Sequence, residues 1–234
     1  MPPQPVDSKN LLLAALTVAD RRRLLAHREP VELAFDDTLS EPGDRIRHVF
    51  FPIRGYISLI APVDGSGQLE VGLVGNEGML GMSLILGVED SPLRALVQGA
   101  GLAWRLDAAT FRRELVRCAP LRRGLNRYVY VCISQLAQAA TCTRFHFVEA
   151  RLARWLLMTR DRAHSDEFEI TQEFLAYMLG VRRVGVTRAA SALQRRGLIH
   201  YRRGNLEIRD VRGLKAAACG CYADAKETYR RVLG

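Results

Sequence analysis

The spacing of apolar residues changes several times along the 234-residue chain, and each change marks a different kind of element. After a proline-rich start, MPPQPVDSKN, the stretch NLLLAALTVADRRRLLAH sets Leu12, Leu16, Leu24 and Leu25 at helical intervals around an interruption at Asp20. This predicts one or two short helices. Between Val31 and Leu106 the pattern becomes short β-branched and apolar runs (VELAF, HVFF, YISLI, LEVGLV, RALVQ, LAWRL) separated by turn signals (EPGD, PIRG, DGSG, GNEG, EDSP). Such alternation predicts a compact antiparallel β-barrel or roll.

Beyond the roll the helical period returns. Asp107 is a suitable N-cap for DAATFRRELVRC, and Pro120 stands where a first-turn proline opens a second, longer helix. In that helix Leu121, Leu125, Tyr128, Cys132, Leu136 and Ala139 recur near heptad spacing. The stripe predicts a parallel dimer helix, the alternative being that it packs against the barrel of its own chain. A further helix, FVEARLARWLLMTRDRA, carries Val148, Leu152, Trp155 and Leu156 on one face, and the polar stretch HSDEFE separates it from the basic end of the chain.

The last quarter of the chain reads as two short helices and a hairpin. In EITQEFLAYMLG, Thr171 can cap a helix with Phe174, Leu175 and Met178 on one face, and Gly180 supplies the left-handed residue that ends it. If residues 182–196 are helical, Val186, Ala189, Ala190 and Leu193 share one narrow face while Val184, Arg188, Ser191 and Arg195 lie opposite. LIHYRRGNLEIRD then gives two strands around an Arg-Arg-Gly-Asn turn. A helix pair joined by a tight glycine turn and followed by a hairpin is the winged-helix pattern, whose second helix enters a DNA major groove.

Charge sharpens this reading. The chain carries a net +9, and residues 1–181 hold equal numbers of basic and acidic side chains, so the whole excess lies in residues 182–234. The segment GVRRVGVTRAASALQRRGLI has five arginines and no carboxylate. Without i,i+4 partners these cations repel one another, so an anionic partner explains them better than a solvated helix face does. Arginine suits the task, because its planar fork can donate two hydrogen bonds to guanine O6 and N7.

Other totals exclude several classes. No apolar run approaches the roughly 20 residues needed to span a bilayer, and the N-terminus lacks the basic flank and apolar core of a secretory signal, so a cytoplasmic protein with no membrane partner is expected. Five cysteines without a C-x-x-C pair suit reduced thiols rather than a disulfide framework. Five scattered histidines, no nucleophile beside a base and no paired carboxylates argue against an enzyme. The glycines at 72, 75, 78 and 81 fit neither phosphate-loop motif and read as turn glycines.

With these motifs in place, the chain resembles the CRP/FNR family of bacterial transcription regulators. EPGD at 41–44 and VFFPIRGYIS at 49–58 resemble early strands of the family's roll, and residues 170–199 resemble its DNA-binding signature. The resemblance implies an α+β fold: an N-terminal helix and cyclic-nucleotide-binding-like β-roll (1–118), a dimerisation helix and hinge (119–145) and a winged helix-turn-helix domain (146–234). It implies a homodimer on a pseudo-palindromic operator in double-stranded DNA, with RNA polymerase as a further partner of an activator. The base-reading positions it implies are Arg183, Val184 and Arg188, and the phosphate contacts are Thr171, Arg182, Thr187, Arg195, Arg202 and Arg203. Many relatives carry a glutamate where Val184 stands, so the familiar operator is not expected. The alternative function is a cytosolic ligand- or redox-sensing module whose basic winged helix binds a protein or RNA.

For the roll, Arg94-Ala95 resembles the phosphate-binding pair of cyclic-nucleotide sensors, whereas Met79 stands where their ribose-binding glutamate follows a glycine. Cyclic AMP is therefore not the expected effector, and Arg94 reads equally as an ion-paired arginine. Cysteine-ligated iron-sulfur sensing at the N-terminus is excluded, since the first cysteine is Cys118. Cys132, on the dimer stripe, reads as a small hydrophobe rather than a redox switch. Cys219-Gly-Cys221 lacks two further ligands, and His146, between Phe145 and Phe147, reads as packed; no metal or cofactor is assigned.

Overall fold

The computed structural model describes residues 10–63 and 68–234, so the proline-rich start and the DGSG turn lie outside the described residues. In chain order the elements are α1 (Leu11–Ala14), α2 (Val18–Leu25), β1 (Glu29–Leu33), β2 (Thr38–Ser40), β3 (His48–Pro62), β4 (Gln68–Val74), a 3-10 turn (Met82–Leu86), β5 (Arg94–Asp107), α3 (Ala108–Arg117) and α4 (Ala119–Phe145). There follow α5 (Val148–Ala163), β6 (Glu167–Glu169), α6 (Gln172–Leu179), α7 (Arg183–Arg195), β7 (Ile199–Arg202), β8 (Asn205–Ile208), α8 (Val211–Ala217) and α9 (Cys221–Leu233). No helix among the described residues is long and apolar enough to cross a membrane.

The chain divides into two compact units. The boundaries fall inside β3, at the end of β4 and inside α4, so Ser58–Leu73 groups with Tyr130–Gly234 rather than with the rest of the roll.

The first unit is the roll with its flanking helices. Its strands pair in the order β1-β5-β3 with β2 also paired to β5, and the antiparallel β1/β5 ladder sets Glu29 opposite Arg105 and Leu33 opposite Gly101. Alternation along β3 sends Val49, Phe51, Ile53 and Ile57 into a core shared with Val97, Ala103 and Leu106 of β5 and Phe111 of α3. The buried Asn10 caps α1 and donates from Nδ2 to the carbonyls of Pro52 (3.0 Å) and Gly78 (2.8 Å), fixing the entering chain on the roll. Asp107 caps α3 as its sequence predicts, and Pro120 lies in the first turn of α4. The 27 residues of α4 span about 40 Å.

The second unit has α5 at its centre. Leu152, Leu156 and Leu157 are fully buried, and α7 and α8 pack along the helix. β6, β8 and β7 form a three-stranded antiparallel sheet in that order. The polar stretch read as a separator thus contains a strand, β6, which pairs its Phe168 with Leu206 of β8. Three residues with one apolar side chain carry too little period to announce a strand.

Candidate nucleic-acid interface

The helix pair is built by local signals. Thr171 Oγ1 accepts from the Phe174 amide at 3.1 Å to start α6, and Gly180, at φ 60° and ψ 43°, ends it in the left-handed conformation that favours glycine. Leu175 and Met178 are buried with Val186, Ala189, Ala190 and Leu193 of α7, the narrow face expected from the sequence. The two alanines allow close approach of α6 and α7.

The opposite face of α7 is open. Val184 is 54% exposed, and Arg183, Thr187, Arg188, Ser191 and Arg195 are exposed beside it. Arg182 is the N-cap residue without a side-chain capping bond, its carbonyl accepting from the Gly185 amide at 2.8 Å, so the start of α7 carries the cations Arg182 and Arg183 and no capping side chain. Cations at the positive end of a helix dipole cost a few tenths of a kcal/mol in isolation, a cost that an anion in the same place reverses.

Ion pairing separates two groups of arginines. Arg196 pairs with Glu149 at 2.8 Å and Arg209 with Glu207 at 3.2 Å. Arg182, Arg183, Arg188, Arg195, Arg202 and Arg203 have no carboxylate within ion-pairing distance among the described residues, and all are exposed. The hydroxyl of Thr187 lies 2.6 Å from Gln172 Oε1 and so ties α7 to α6.

The wing closes as a two-residue turn. Arg202 pairs with Asn205 across the β7/β8 ladder, leaving Arg203 (φ 52°) and Gly204 (φ 88°) as the central residues, both in the left-handed region that a type I′ turn requires. Tyr201 anchors the wing: its amide donates to Gln194 Oε1 at 2.6 Å, and its hydroxyl donates to the Ile170 carbonyl at 2.7 Å.

The expected dimer stripe divides. Leu125 and Tyr128 are 1% and 5% exposed and Leu121 is equally buried, so these three are consumed by the first unit. Tyr128 donates to the Met79 carbonyl at 3.3 Å and packs on Gly78, where a Cβ would stand 2.3 Å from its hydroxyl. Cys132 is half-buried and Leu136 exposed, and Tyr130 and Ile133 (58% exposed) are exposed near them. Arg94 is engaged in the first unit, its Nε 3.3 Å from Glu41 Oε1 and its Nη2 donating to Thr38 Oγ1 at 3.1 Å.

Two groupings in the second unit had no clear sequence signal. Glu70 of β4 accepts from Ser58 Oγ at 2.6 Å and from Trp155 Nε1 at 2.8 Å, and burial raises its carboxyl to about 7 against these bonds. Beside it, Arg151 donates to the Leu179 carbonyl at the end of α6. The second grouping gathers four side chains that could hold a metal ion. The two partners that Cys219 and Cys221 lacked are Cys142, on the last turns of α4, and His146, just beyond it. Their four-residue spacing, with the His146 amide donating to the Cys142 carbonyl at 3.1 Å, keeps the two adjacent, but a lone Cys-x-x-x-His pair announces no site by itself. The hydrogen bond from the Cys219 thiol holds Cys142 down, at about 4, and the same pairing pushes Cys219 up.

Residues 150–217 match the Crp-like helix-turn-helix domain family. No curated protein sequence is significantly similar to the chain. Among solved structures, the c-di-GMP responsive global regulator CLP of Xanthomonas campestris superposes with a TM-score of 0.68 at 18% identity, over 83% of this chain and all of that one. FixK2 from Bradyrhizobium japonicum gives 0.69 at 12% identity over 82% and 98% of the two chains. A regulator of the CRP/FNR family from Eubacterium rectale gives 0.69 at 18% identity over 88% and 96%. These likenesses show a shared fold, roll and winged helix included.

Proposed function

From a chain that carries a Crp-like helix-turn-helix domain on the fold of CRP/FNR-family transcription regulators, we propose a homodimeric, sequence-specific regulator of transcription. Each protomer lays α7 in the major groove of one half-site of a pseudo-palindrome, the half-sites standing about one helical turn, or 34–36 Å, apart. The observation that carries this reading is the set of six exposed arginines on α7 and the wing without carboxylate partners among the described residues, beside paired Arg196 and Arg209.

The roles follow from reach and chemistry. Arg183, Val184 and Arg188 meet base edges, with the arginines donating to guanine and Val184 touching a thymine methyl. Thr171, Arg182, Thr187, Arg195, Arg202 and Arg203 meet phosphates and set register. The exposed stripe of Tyr130, Ile133 and Leu136 on α4 supplies the contact between protomers. The β-roll biases that helix between arrangements that do and do not match the operator, and RNA polymerase is the partner of an activating complex. Such work belongs in the cytoplasm.

Selection of bound duplexes from a random library by the purified protein, at near-physiological salt and with no effector, tests the proposal. The expected result is a two-fold symmetric motif. Sequence-independent binding with a steep salt dependence would instead assign the cations to RNA or another polyanion.

A further inference from the structure

Cys142, His146, Cys219 and Cys221 bring three sulfurs and one imidazole nitrogen within 4.8 Å of one another, although 77 residues separate Cys142 from Cys219. The thiol sulfurs of Cys142 and Cys219 are 3.5 Å apart, and Cys221 Sγ is 3.5 Å from His146 Nδ1. A disulfide needs about 2.05 Å, so the cysteines stand as separate thiols. Four ligands at the usual zinc distances of about 2.0–2.3 Å on a tetrahedron stand about 3.5–3.8 Å from one another. We infer that these four residues form a Cys3His site for one soft divalent ion, zinc by donor set and geometry.

The surroundings agree. Cys142, Cys219 and Cys221 are buried together, and their only described apolar companion in that cluster is the half-buried Ala150, so the group is too small and too rich in sulfur to be an ordinary core. His146 is the least buried of the four, which leaves the site one ligand towards the surface. Three thiolates and a divalent cation carry one net negative charge. Arg154 offsets it, its Nη1 lying 3.7 Å from Cys142 Sγ, and its buried Nε has no hydrogen-bond partner among the described residues. The amide of Cys219 donates to the Ala150 carbonyl at 3.4 Å, fixing the loop that carries the second ligand pair.

Compactness selects the ion. An iron-sulfur cluster distributes its thiolates over several irons and spaces them more widely than this group. A single ion draws all four donors to one centre and displaces the thiol protons to solvent. In doing so it clips the end of α4 to the start of α9, on either side of the helix-turn-helix in the chain.

The test is made on the full chain, purified under reducing conditions, by elemental analysis, by Zn2+ titration against a chromophoric chelator, and by Co2+ substitution. The expected result is one zinc per chain, and for Co2+ the thiolate charge-transfer and intense red absorption of a tetrahedral sulfur-rich site. Cys142→Ser and Cys219→Ser lower Zn2+ affinity by more than about 100-fold, whereas Cys118→Ser and Cys132→Ser leave it unchanged. Zn2+ uptake that is equal in all four variants, iron with acid-labile sulfide, or wild-type protein that binds no Zn2+ would each overturn the site. Should the ligand variants fail to fold, the Co2+ spectrum of the wild type decides alone, an octahedral pale spectrum counting against it. None of these readouts involves DNA, so the site stands or falls apart from the regulator reading.

Discussion

Trp155 Nε1 donates a hydrogen bond of 2.8 Å to Glu70 Oε1, and so a carboxyl on β4 is held by the central helix of the DNA-binding unit. The second carboxyl oxygen is held by Ser58 of β3 at 2.6 Å. Leu69, the neighbour of Glu70, packs against Gly180, the residue that ends the first helix of the helix-turn-helix; a Cβ there would stand 2.8 Å from Leu69 Cδ1. The β3/β4 hairpin therefore supports α5 and the turn ahead of α7 together.

Burial raises Glu70 to about 7, partly opposed by Ser58, Trp155, Arg162 and Arg154, so the fold favours its protonated form relative to the unfolded chain. The stability this group contributes is full below the ordinary carboxyl value of about 4.5 and is lost as pH rises through about 7. Glu70→Gln, a neutral mimic of the acid, is expected to be less sensitive to pH between 5 and 8 and to gain on the order of 2 kcal/mol over wild type at the alkaline end. Parallel denaturation curves for the two proteins at pH 5 and pH 8, with a constant difference, would remove Glu70 from the account.

Base readers and phosphate contacts differ in what their loss does. Arg188→Ala should cost roughly 1–3 kcal/mol on the selected operator and relax the preference at one base pair of each half-site. Arg203→Ala, at the wing tip, should weaken binding alike on every duplex and reduce the slope of log K against log salt by about one. Binding isotherms on operator and scrambled duplexes at several salt concentrations check both. A uniform loss for Arg188→Ala would move that residue into the phosphate group.

Val184 is 54% exposed on the first turn of α7 and offers only apolar surface to a base. Val184→Glu supplies an acceptor that cytosine N4 can satisfy. Repeating the duplex selection with this variant should move the preference at one position of each half-site towards C·G while leaving the symmetry of the motif intact. An unchanged motif would mean that Val184 does not face a base.

Much of the fold was legible in the sequence because the signals are local. A threonine cap, a left-handed glycine, a 3.6-residue period and a two-residue turn each act within a few positions, and so α6, α7 and the wing follow from Thr171, Gly180, the Val186 to Leu193 face and Arg203-Gly204. The features that escaped depend on distant partners. Strand β6 exists because Phe168 meets Leu206, Glu70 is notable only once Trp155 is placed over it, and Cys142 needs Cys219 to look like anything but a small hydrophobe. The stripe on α4 shows the same limit, since its period identifies an apolar face without saying what covers it.

That last ambiguity yields a test in two substitutions on one helix. Leu125 is buried in the first unit, and Ile133, two turns further along α4, is exposed. Leu125→Ala should destabilise the fold by about 2–5 kcal/mol, the range for truncating a buried leucine. Ile133→Asp should leave the thermal stability of the protomer nearly unchanged, because no described core contact is lost, yet place like charges against each other where two α4 helices meet. Sedimentation should then find wild type and Leu125→Ala as dimers wherever they are folded, and Ile133→Asp as a monomer whose affinity for a palindromic duplex falls to that of a single half-site. A dimeric Ile133→Asp would show that the protomers meet elsewhere, and the surface of Tyr130, Ile133 and Leu136 would need another occupant.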